Sequence, residues 1–172
     1  VAQSLKVWRV NGEKGIPLDL EIAHVPNTYG GEYPGLYLFS SPARMMRPVK
    51  YLGNGKTDMI GTFEQVYMDI ACMDDGVVPG VTTHQEFTPT NILSIIANQT
   101  PFSDFNQSPR NMYQCQMGKQ TMGTPSTVFN HRTDNKMYRI QSSQTPVVRT
   151  ELYNEYGLDG WPQGNNAIVA VI

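Results

Sequence analysis

Alternation of apolar and polar residues predicts several short strands in the first third of the chain. Residues 20–25 alternate in this way and are followed by Pro26, as expected of a half-buried strand. Residues 35–39 and 47–52 have a similar character and are separated by a turn-forming stretch at 40–44. The spacing therefore predicts that these two strands form a hairpin.

The sequence pattern predicts helices less clearly than strands. Residues 2–10 fit a short helix that runs into an Asn-Gly turn, although a strand also fits. Periodicity leaves residues 62–71 open between strand and helix. Farther along, Thr88 suits an N-cap and Pro89 a first helical turn, so the apolar run at 92–97 predicts a buried helix of about three turns.

A continuous apolar and mostly β-branched run occupies residues 167–172. Such a run predicts a strand buried on both faces. A terminus there would leave backbone groups unpaired and apolar side chains bare. Because the first residue, Val1, is also not methionine, we expect a piece cut from a longer polypeptide.

Composition narrows the fold class and the possible partners. The chain has 15 glycines and 12 prolines spread along its length, so many turns are expected and the predicted fold class is α+β and β-rich. The formal net charge is −2, so any contact with nucleic acid has to be local. No apolar stretch approaches the roughly 20 residues of a membrane span.

Neither a metal site nor a catalytic residue is predicted. The two cysteines are too few for a zinc cluster or a disulfide framework. The histidines lie far apart in the sequence, form no local ligand pair and are expected to be ordinary residues: His24, His84 and His131. The carboxylates, Glu21 and Glu64 among them, give no pair that stands out as acid and base.

A helix beginning near residue 108 carries the most informative chemistry. Ser108 suits an N-cap and Pro109 the first helical position, so the helix is predicted to run to about Gly118. Arg110 then lies in the first turn, where the helix dipole disfavours a cation by a few tenths to about 1 kcal/mol. Two interpretations stay open: free amides and the guanidinium bind a phosphate, or Arg110 pairs with a carboxylate such as Asp104.

The far end of this helix carries polar groups suited to a nucleic-acid strand. Gln120 and the neighbouring glutamines can hydrogen-bond sugar or base edges without base preference, and Lys119 can meet a backbone phosphate. Each has an ordinary alternative, since methionines at helical spacing usually fill a core and most lysines are solvated.

The segment that starts at Asn106 also resembles a known family. Residues 106–111, Tyr113-Gln114, residues 117–120 and Gly123 are similar to the signature of the second-largest subunits of eukaryotic and archaeal RNA polymerases. Flanking stretches resemble that family's external-domain hairpin, the segment leading into its fork region, and a strand entering its hybrid-binding domain: residues 44–49, 83–86 and 164–170. The details most like the RNA polymerase I version lie at residues 35–44, 102–105 and 114–117.

This resemblance implies three regions within a fragment of such a subunit. Residues 1–61 are expected to form external-domain hairpins and residues 62–98 a fork-like region. Residues 99–172 are expected to be the start of the hybrid-binding domain.

The resemblance also implies roles for individual residues. Arg110 matches the family arginine that approaches the triphosphate of the incoming nucleotide, which favours the phosphate interpretation. Gln120 matches a glutamine near the RNA 3′ region of the RNA–DNA hybrid, and Lys119 lies beside it. Asn111 and Tyr113 are expected in the same substrate-binding neighbourhood.

For the whole enzyme, the resemblance implies a DNA-directed RNA polymerase. The RNA 3′-hydroxyl attacks an α-phosphate and pyrophosphate leaves, assisted by magnesium that is held mainly by the largest subunit. The isolated chain is expected neither to bind a cofactor nor to be active. The implied partners are template DNA, nascent RNA, nucleoside triphosphates and the other polymerase subunits, in the nucleus and nucleolus and not at a membrane.

Two other functions stay open. In the first, the segment is a scaffold that joins subunits, and Arg110 is buried in an ion pair. Aromatic residues near the end of the chain, Tyr153, Tyr156 and Trp161, are expected to make surface or subunit contacts of this kind. In the second, the chain is an independent nucleic-acid-binding module, which the net charge of −2 disfavours.

Overall fold

A computed structural model describes residues 1–28, 31 and 33–172. It divides into a first unit, Val1–Pro89, and a second unit, Thr90–Ile172. Helices occur in both units, and the strands of the described residues form two sheets in the first. The predicted α+β class is confirmed.

The first unit begins with helix α1, Ala2–Asn11, so the helical alternative for this stretch is confirmed. Gly12 ends the helix in the left-handed conformation, with φ at 73°, and its amide donates to the carbonyl of Arg9. An L side chain would be strained at that position, which is why glycine suits this helix end.

Six short strands occur among the described residues of the first unit. They are β1 Glu21–Val25, β2 Gly35–Phe39, β3 Met46–Tyr51, β4 Thr57–Gly61, β5 Ile70–Ala71 and β6 His84–Gln85. β1 and β2 form one antiparallel sheet, with Glu21 opposite Phe39. The other sheet has the order β4-β3-β6-β5, in which β5 and β6 are parallel.

The predicted hairpin between residues 35–39 and 47–52 is wrong. β2 pairs with β1, and β3 pairs with β4. The turn between β3 and β4 explains the pairing: Gly55 is left-handed, with φ at 70°, and the Lys56 amide donates to Asn54 Oδ1 at 2.9 Å. Such local turn chemistry brings two consecutive strands together.

Residues 62–71, which periodicity left open, contain both kinds of structure. Helix α2 is a single turn at Thr62–Gln65, and β5 follows it. The Glu21 carboxylate, from β1, caps α2 by accepting the amides of Phe63 at 2.9 Å and Glu64 at 3.0 Å. A distant side chain thus satisfies amides that have no partner within the helix.

The apolar core of the first unit lies where α1 packs against β1 and β4. Full burial of an aliphatic side chain stabilises a fold by about 1.5–3 kcal/mol. The buried apolar residues are Val10, Ile22, Ala23, Val25, Val49, Ile60 and Ala71.

The second unit consists of three helices joined by long irregular segments. The helices are α3 Ile95–Asn98, α4 Ser108–Gly118 and α5 Glu151–Glu155. Its buried residues are Asn98, Leu152 and Tyr153. The expectation that Tyr153 makes a surface contact is therefore wrong, because α5 turns this side chain inward.

The predicted three-turn buried helix after Thr88 is also wrong. Pro89–Ile92 form a 3-10 turn, and the α-helix covers only Ile95–Asn98. Ser94 interrupts the run, since its hydroxyl accepts an amide of α3 at 3.3 Å and makes it the N-cap. The side chains are not buried either, and the exposed fraction of Ile92 is 89%.

The apolar run at 167–172 is not a strand. Ile168 and Ile172 are fully exposed. A strand needs a second backbone to satisfy its amides and carbonyls, and no described segment pairs with this run. The predicted buried strand is therefore wrong for this chain.

None of the helices in the described ranges is long and apolar enough to span a bilayer.

Candidate functional site

Helix α4 carries the residues that the sequence singles out as a site. The helix is confirmed, but its N-cap is Gln107, one residue before the predicted Ser108. The Gln107 carbonyl accepts the amides of Arg110 at 2.9 Å and of Asn111 at 3.3 Å. An N-cap carbonyl accepts the first bonds of its helix in this way.

One stripe of α4 packs against α3. Asn111, Cys115 and Gly118 are partly buried, whereas the residues between them are exposed. Their spacing of four and three residues places them on one helix face. A Cβ added at Gly118 would lie 3.7 Å from Ile96 of α3. The opposite face of α4 is therefore left to solvent.

Arg110 lies on this solvent face. Within the part of the chain that the structure describes, it forms no ion pair, so the alternative interpretation, a pair with Asp104, does not occur. Its guanidinium carbon lies 5.9 Å from the centroid of the Tyr113 ring, one turn along the helix, at the outer limit of a cation–π contact. The guanidinium thus keeps its N–H donors for a ligand.

The start of α4 offers an anion fewer free amides than expected. Pro109 has no amide hydrogen, and the amides of Arg110 and Asn111 are already bonded to Gln107. A phosphate at this helix start would depend on the guanidinium more than on the backbone.

Asn111 is partly committed to the fold. Its Nδ2 donates to the Ser103 carbonyl at 2.8 Å and ties the preceding loop to α4. Its Oδ1 is buried without a hydrogen-bond partner among the described residues. Asn111 therefore has a structural role in this loop, and its predicted contact with the substrate stays a prediction.

Lys119 and Gln120 mark the other end of α4. Lys119 is the C-cap residue and both side chains are exposed. A cation is favourable at a helix C-terminus. At about 1.5 Å per residue, Lys119 lies roughly 14 Å from Arg110 along the helix axis. A ligand that touches both ends must therefore be extended.

No group of three or more His, Cys, Asp or Glu side chains could hold a metal ion within residues 1–28, 31 and 33–172.

Sequence reasoning missed a second set of charged residues, in the core of the first unit. We call Arg9, Asp58, Glu64 and His84 the buried charge cluster; the first three are 1%, 0% and 0% exposed. α1 provides the arginine, β4 the aspartate, α2 the glutamate and β6 the histidine.

The guanidinium of Arg9 uses all five of its N–H donors. Nε and Nη2 donate to the Asp58 carboxylate at 3.0 and 2.8 Å. Nη1 and Nη2 donate to the Glu64 carboxylate at 2.8 and 2.9 Å. The remaining donor, on Nη1, bonds the Leu20 carbonyl at 2.9 Å. No N–H is left for a ligand.

Burial alone would lower the pKa of Arg9. The hydrogen bond and charge of Glu64 and those of Asp58 outweigh this effect, so its pKa is raised. The guanidinium is therefore a permanent cation locked between two carboxylates.

His84 is not the ordinary histidine that the sequence suggests. Its Nε2 lies 2.8 Å from Asp58 Oδ2, and its Nδ1 lies 2.8 Å from Thr83 Oγ1. Lys6 Nζ approaches Glu64 Oε1 at 3.4 Å from the other side. All these contacts come from residues of the first unit. The cluster is therefore a buried ion-pair network that holds α1, α2, β4 and β6 together.

The sequence signal for this cluster is weak because its partners are far apart. Asp58 and Glu64 are 49 and 55 residues from Arg9. Alternation would have placed Asp58 on the same face as the core residue Ile60, but residues 57–61 were not recognised as a strand.

Comparison with known proteins relates both units to one enzyme. Residues 1–47 match the family described as RNA polymerase I, Rpa2 specific domain, and residues 96–172 match RNA polymerase Rpb2, domain 6. The DNA-directed RNA polymerase I subunit RPA2 of Neurospora crassa is 67% identical over 172 residues, which is 100% of this chain and 14% of that protein.

Other relatives agree. The probable DNA-directed RNA polymerase I subunit RPA2 of Schizosaccharomyces pombe is 69% identical over 157 residues, 91% of this chain and 13% of that protein. The human DNA-directed RNA polymerase I subunit RPA2 is 54% identical over 173 residues, 100% of this chain and 15% of that protein. The chain thus spans only about a seventh of the length of the curated relatives it matches.

Proposed function

The chain belongs to the family of second-largest subunits of RNA polymerase I, and from this premise we propose that α4 contacts the incoming nucleoside triphosphate and the RNA–DNA hybrid. The observation that carries the proposal is the state of Arg110: exposed on the solvent face of α4 and without a carboxylate partner in the described residues.

Arg110 would act on the phosphates of the nucleotide. Its free planar fork matches phosphate oxygens, and a charge-assisted hydrogen bond of this kind contributes about 1.5–3 kcal/mol. The guanidinium neutralises phosphate charge and orients the triphosphate for attack by the RNA 3′-hydroxyl. Tyr113, one turn along the helix, limits where the guanidinium can point.

Lys119 and Gln120 would serve the RNA–DNA hybrid. At about 3.4 Å per nucleotide of one strand, the roughly 14 Å between Arg110 and Lys119 corresponds to about four nucleotide steps. One α-helix can therefore touch the arriving nucleotide at its start and the strand already made at its end. Lys119 would contact backbone phosphate and Gln120 sugar or base edges. Asn111 would hold the loop before α4 within the substrate-binding neighbourhood.

We place this activity in the assembled DNA-directed RNA polymerase I. Magnesium supplies Lewis-acid chemistry to nucleotidyl transfer when bound, and in this proposal the largest subunit holds it. The partners are template DNA, nascent RNA, nucleoside triphosphates and the other polymerase subunits, in the nucleus and its nucleolus. Residues 1–61, 62–98 and 99–172 would form external-domain hairpins, a fork-like region and the start of the hybrid-binding domain.

The test is Arg110→Ala in the reconstituted polymerase. Loss of one charge-assisted bond to phosphate is expected to lower kcat/KM for nucleotide addition about tenfold or more, chiefly through a higher apparent KM for nucleoside triphosphates. The kinetics are measured by single-nucleotide extension of a preassembled RNA–DNA scaffold.

Arg132→Ala is the matched control. Arg132 is an arginine of the same unit, 52% exposed and paired with Asp134 at 2.7 Å, so its removal changes the net charge equally. We expect its nucleotide KM to equal that of the unsubstituted enzyme. Equal kinetics for all three enzymes would refute the assignment of Arg110.

A second candidate function is a scaffold that joins subunits. Exposed aromatic side chains favour it: Phe102 and Phe105 are 65% and 83% exposed, and their ring centroids lie 6.3 Å apart. In this case Phe105→Ser would weaken retention of the subunit in high salt and leave the nucleotide KM unchanged. The two functions are therefore separable by assembly and kinetics.

A further inference from the structure

Charge is distributed unevenly along the chain. The formal net charge is −2, yet residues 105–148 contain five lysines and arginines and a single carboxylate, Asp134. Two of the five cations belong to the proposed site on α4, and the proposed function does not use the other three. We call residues 129–140 the cationic segment because they contain those three: Arg132, Lys136 and Arg139.

The cationic segment is joined to the chain that leaves α4. The amide of Ile140 donates to the carbonyl of Gly123 at 3.1 Å, and Gly123 follows the last residue of α4 by five positions. The same stretch is fixed a second time, since Thr124 Oγ1 donates to the Pro162 carbonyl at 2.9 Å. Arg139 is therefore held beside the chain that leaves the C-terminal end of α4.

The guanidinium of Arg139 is positioned without using its hydrogen-bond donors. Its central carbon lies 4.3 Å from the centroid of the Phe129 ring, which is well within the range of a cation–π contact. Stacking on a ring face leaves the N–H groups at the edge of the guanidinium free. The side chain makes no ion pair within the part of the chain that the structure describes. A cation held in this way loses less entropy when it binds an anion.

The single carboxylate of the segment does not neutralise these cations. Arg132 Nε lies 2.7 Å from Asp134 Oδ2, and this hydrogen bond lowers the pKa of Asp134. Asp134 is therefore an ionised partner of Arg132. Lys136 is exposed and forms no ion pair among the described residues, so Lys136 and Arg139 are left as two unbalanced positive charges.

An exposed aromatic ring lies between the two unbalanced cations in the sequence. Tyr138 is 66% exposed. Cations that follow a phosphate backbone, together with an aromatic ring on which a base can stack, are the combination that binds a single nucleic-acid strand. An acidic protein surface would match the charges but would have no use for the ring. The chemistry therefore favours nucleic acid.

We propose that Lys136 and Arg139 bind backbone phosphates of the nascent RNA beyond the part that Lys119 contacts, and that Tyr138 stacks on a base there. The proposal rests on the proposed function, which brings RNA to the C-terminal end of α4. Because the cationic segment is joined to the chain leaving that end, one strand can continue from α4 onto it.

The experiment measures how salt affects the affinity of the assembled polymerase for an RNA–DNA scaffold. The affinities of the unsubstituted enzyme and of Arg139→Gln are titrated at several KCl concentrations. Each lost phosphate contact should make the slope of log affinity against log salt shallower by about 0.7–0.9. Affinity at the lowest salt should fall about tenfold. Adding Lys136→Gln should roughly double the change in slope.

Two variants control for charge and for structure. Arg132→Gln removes a cation of the same segment that is already paired with Asp134, so the slope should stay as in the unsubstituted enzyme. Arg139→Lys keeps the charge but loses the stacked guanidinium, so the slope should be restored. An Arg139→Lys slope as shallow as that of Arg139→Gln would show that stacking on Phe129, rather than phosphate binding, is the role of this side chain.

The length of the RNA tests which strand is bound. An RNA of about four nucleotides spans α4 alone, whereas one of about ten nucleotides continues beyond it. Arg139→Gln should weaken binding of the scaffold with the longer RNA only. Equal losses with both RNAs would assign the contact to DNA and overturn the proposal, as would unchanged slopes with both.

Two further measurements separate this proposal from its alternatives. Loss of another subunit from the Arg139→Gln enzyme in the absence of nucleic acid would identify an acidic protein surface as the partner and overturn the proposal. The nucleotide KM of Arg139→Gln should stay normal because Arg110 is untouched. A normal KM for Arg110→Ala together with a shallower slope for Arg139→Gln would refute the assignment of Arg110 and support the RNA contact.

Discussion

The two units use arginine in opposite ways. In the first unit, Arg9 is 1% exposed and every N–H of its guanidinium is bonded to Asp58, Glu64 or a carbonyl. In the second unit, Arg110 is exposed, and its guanidinium carbon lies 5.9 Å from the centroid of the Tyr113 ring. One guanidinium is fully bonded within the fold, and the other is exposed and has no ion pair among the described residues.

The difference separates a cation that is bonded within the fold from one that the fold leaves exposed. Removing a charged group from water costs on the order of several kcal/mol per ion. Only close ion pairing with all hydrogen bonds satisfied offsets this cost. Arg9 has that pairing and is therefore unavailable to a ligand. Arg110 has incurred no such cost, so it can exchange water for phosphate.

The first unit also buries more apolar side chains than the second unit. The first unit buries apolar side chains from α1 and from both sheets, whereas Leu152 and Tyr153 are the buried apolar residues of the second. Hydrogen bonds from side chains to loops replace some of this burial in the second unit, as in Asn98 Nδ2 to the Leu93 carbonyl at 3.0 Å. Local stability in the second unit is therefore expected to be lower.

Arg9→Met is expected to have the largest effect on stability. It leaves the buried carboxylates of Asp58 and Glu64 without their cation, at a cost of about 3–5 kcal/mol. Hydrogen exchange of the β4 amides in the assembled polymerase should become roughly a hundredfold faster or more. Lys50→Met, which removes an exposed cation from the same sheet, is the control and should leave exchange unchanged. Similar exchange rates in both variants would show that the buried charge cluster does not stabilise the first unit.

Gly61→Ala tests the same region through the backbone. A Cβ there would overlap the Glu21 carboxylate, which caps α2 through the amides of Phe63 and Glu64. Displacing a buried cap is expected to destabilise α2 by about 1–3 kcal/mol, measured by exchange of the α2 amides. Gly76→Ala, where the added Cβ meets only an ordinary contact at 3.8 Å, should have no such effect. Equal exchange rates would mean that Glu21 moves aside freely.

Asn111→Ala is expected to have an intermediate effect in the second unit. It removes the bond from Nδ2 to the Ser103 carbonyl, which contributes about 1 kcal/mol. Exchange in residues 103–111 should therefore become about fivefold faster. Gln114→Ala, on the exposed face of α4, serves as the control. If the nucleotide KM rises without any change in exchange, the main role of Asn111 is at the substrate.

Arg110→Ala is expected to change stability least. An exposed residue without a partner contributes within about 0.5 kcal/mol, so exchange of the α4 amides should match that of the unsubstituted enzyme. The same variant should raise the nucleotide KM, so its main expected effect is on activity rather than on stability. A loss of α4 protection above about 1 kcal/mol would identify Arg110 as structural.

Local signals predicted the elements that depend on local chemistry. α4 was expected because Pro109 suits a first helical turn, and β1 because residues 20–25 alternate. The hairpin between β2 and β3 failed because pairing was decided by the turn at Asn54 to Gly55, which makes β4 the partner. The buried helix near residue 92 failed because Ser94 competes for a backbone amide.

For the candidate site too, local sequence signals identified residues but not the contacts that depend on the folded chain. The sequence and its family resemblance named Arg110 and Gln120, but they could not exclude the pair with Asp104, since exposure and partners depend on the folded chain. The buried charge cluster was missed because its members lie on α1, β4, α2 and β6, and no local pattern marks a contact over 49 residues.

The saturation of the Arg9 guanidinium has an evolutionary consequence. A substitution at Asp58 or Glu64 leaves an uncompensated charge in the interior, so each of the three positions constrains the other two. Related sequences should therefore keep or lose Arg9, Asp58 and Glu64 as a set and show them covarying. Under the proposed function, a ligand rather than neighbouring side chains constrains Arg110, so this residue should be retained independently of its surroundings.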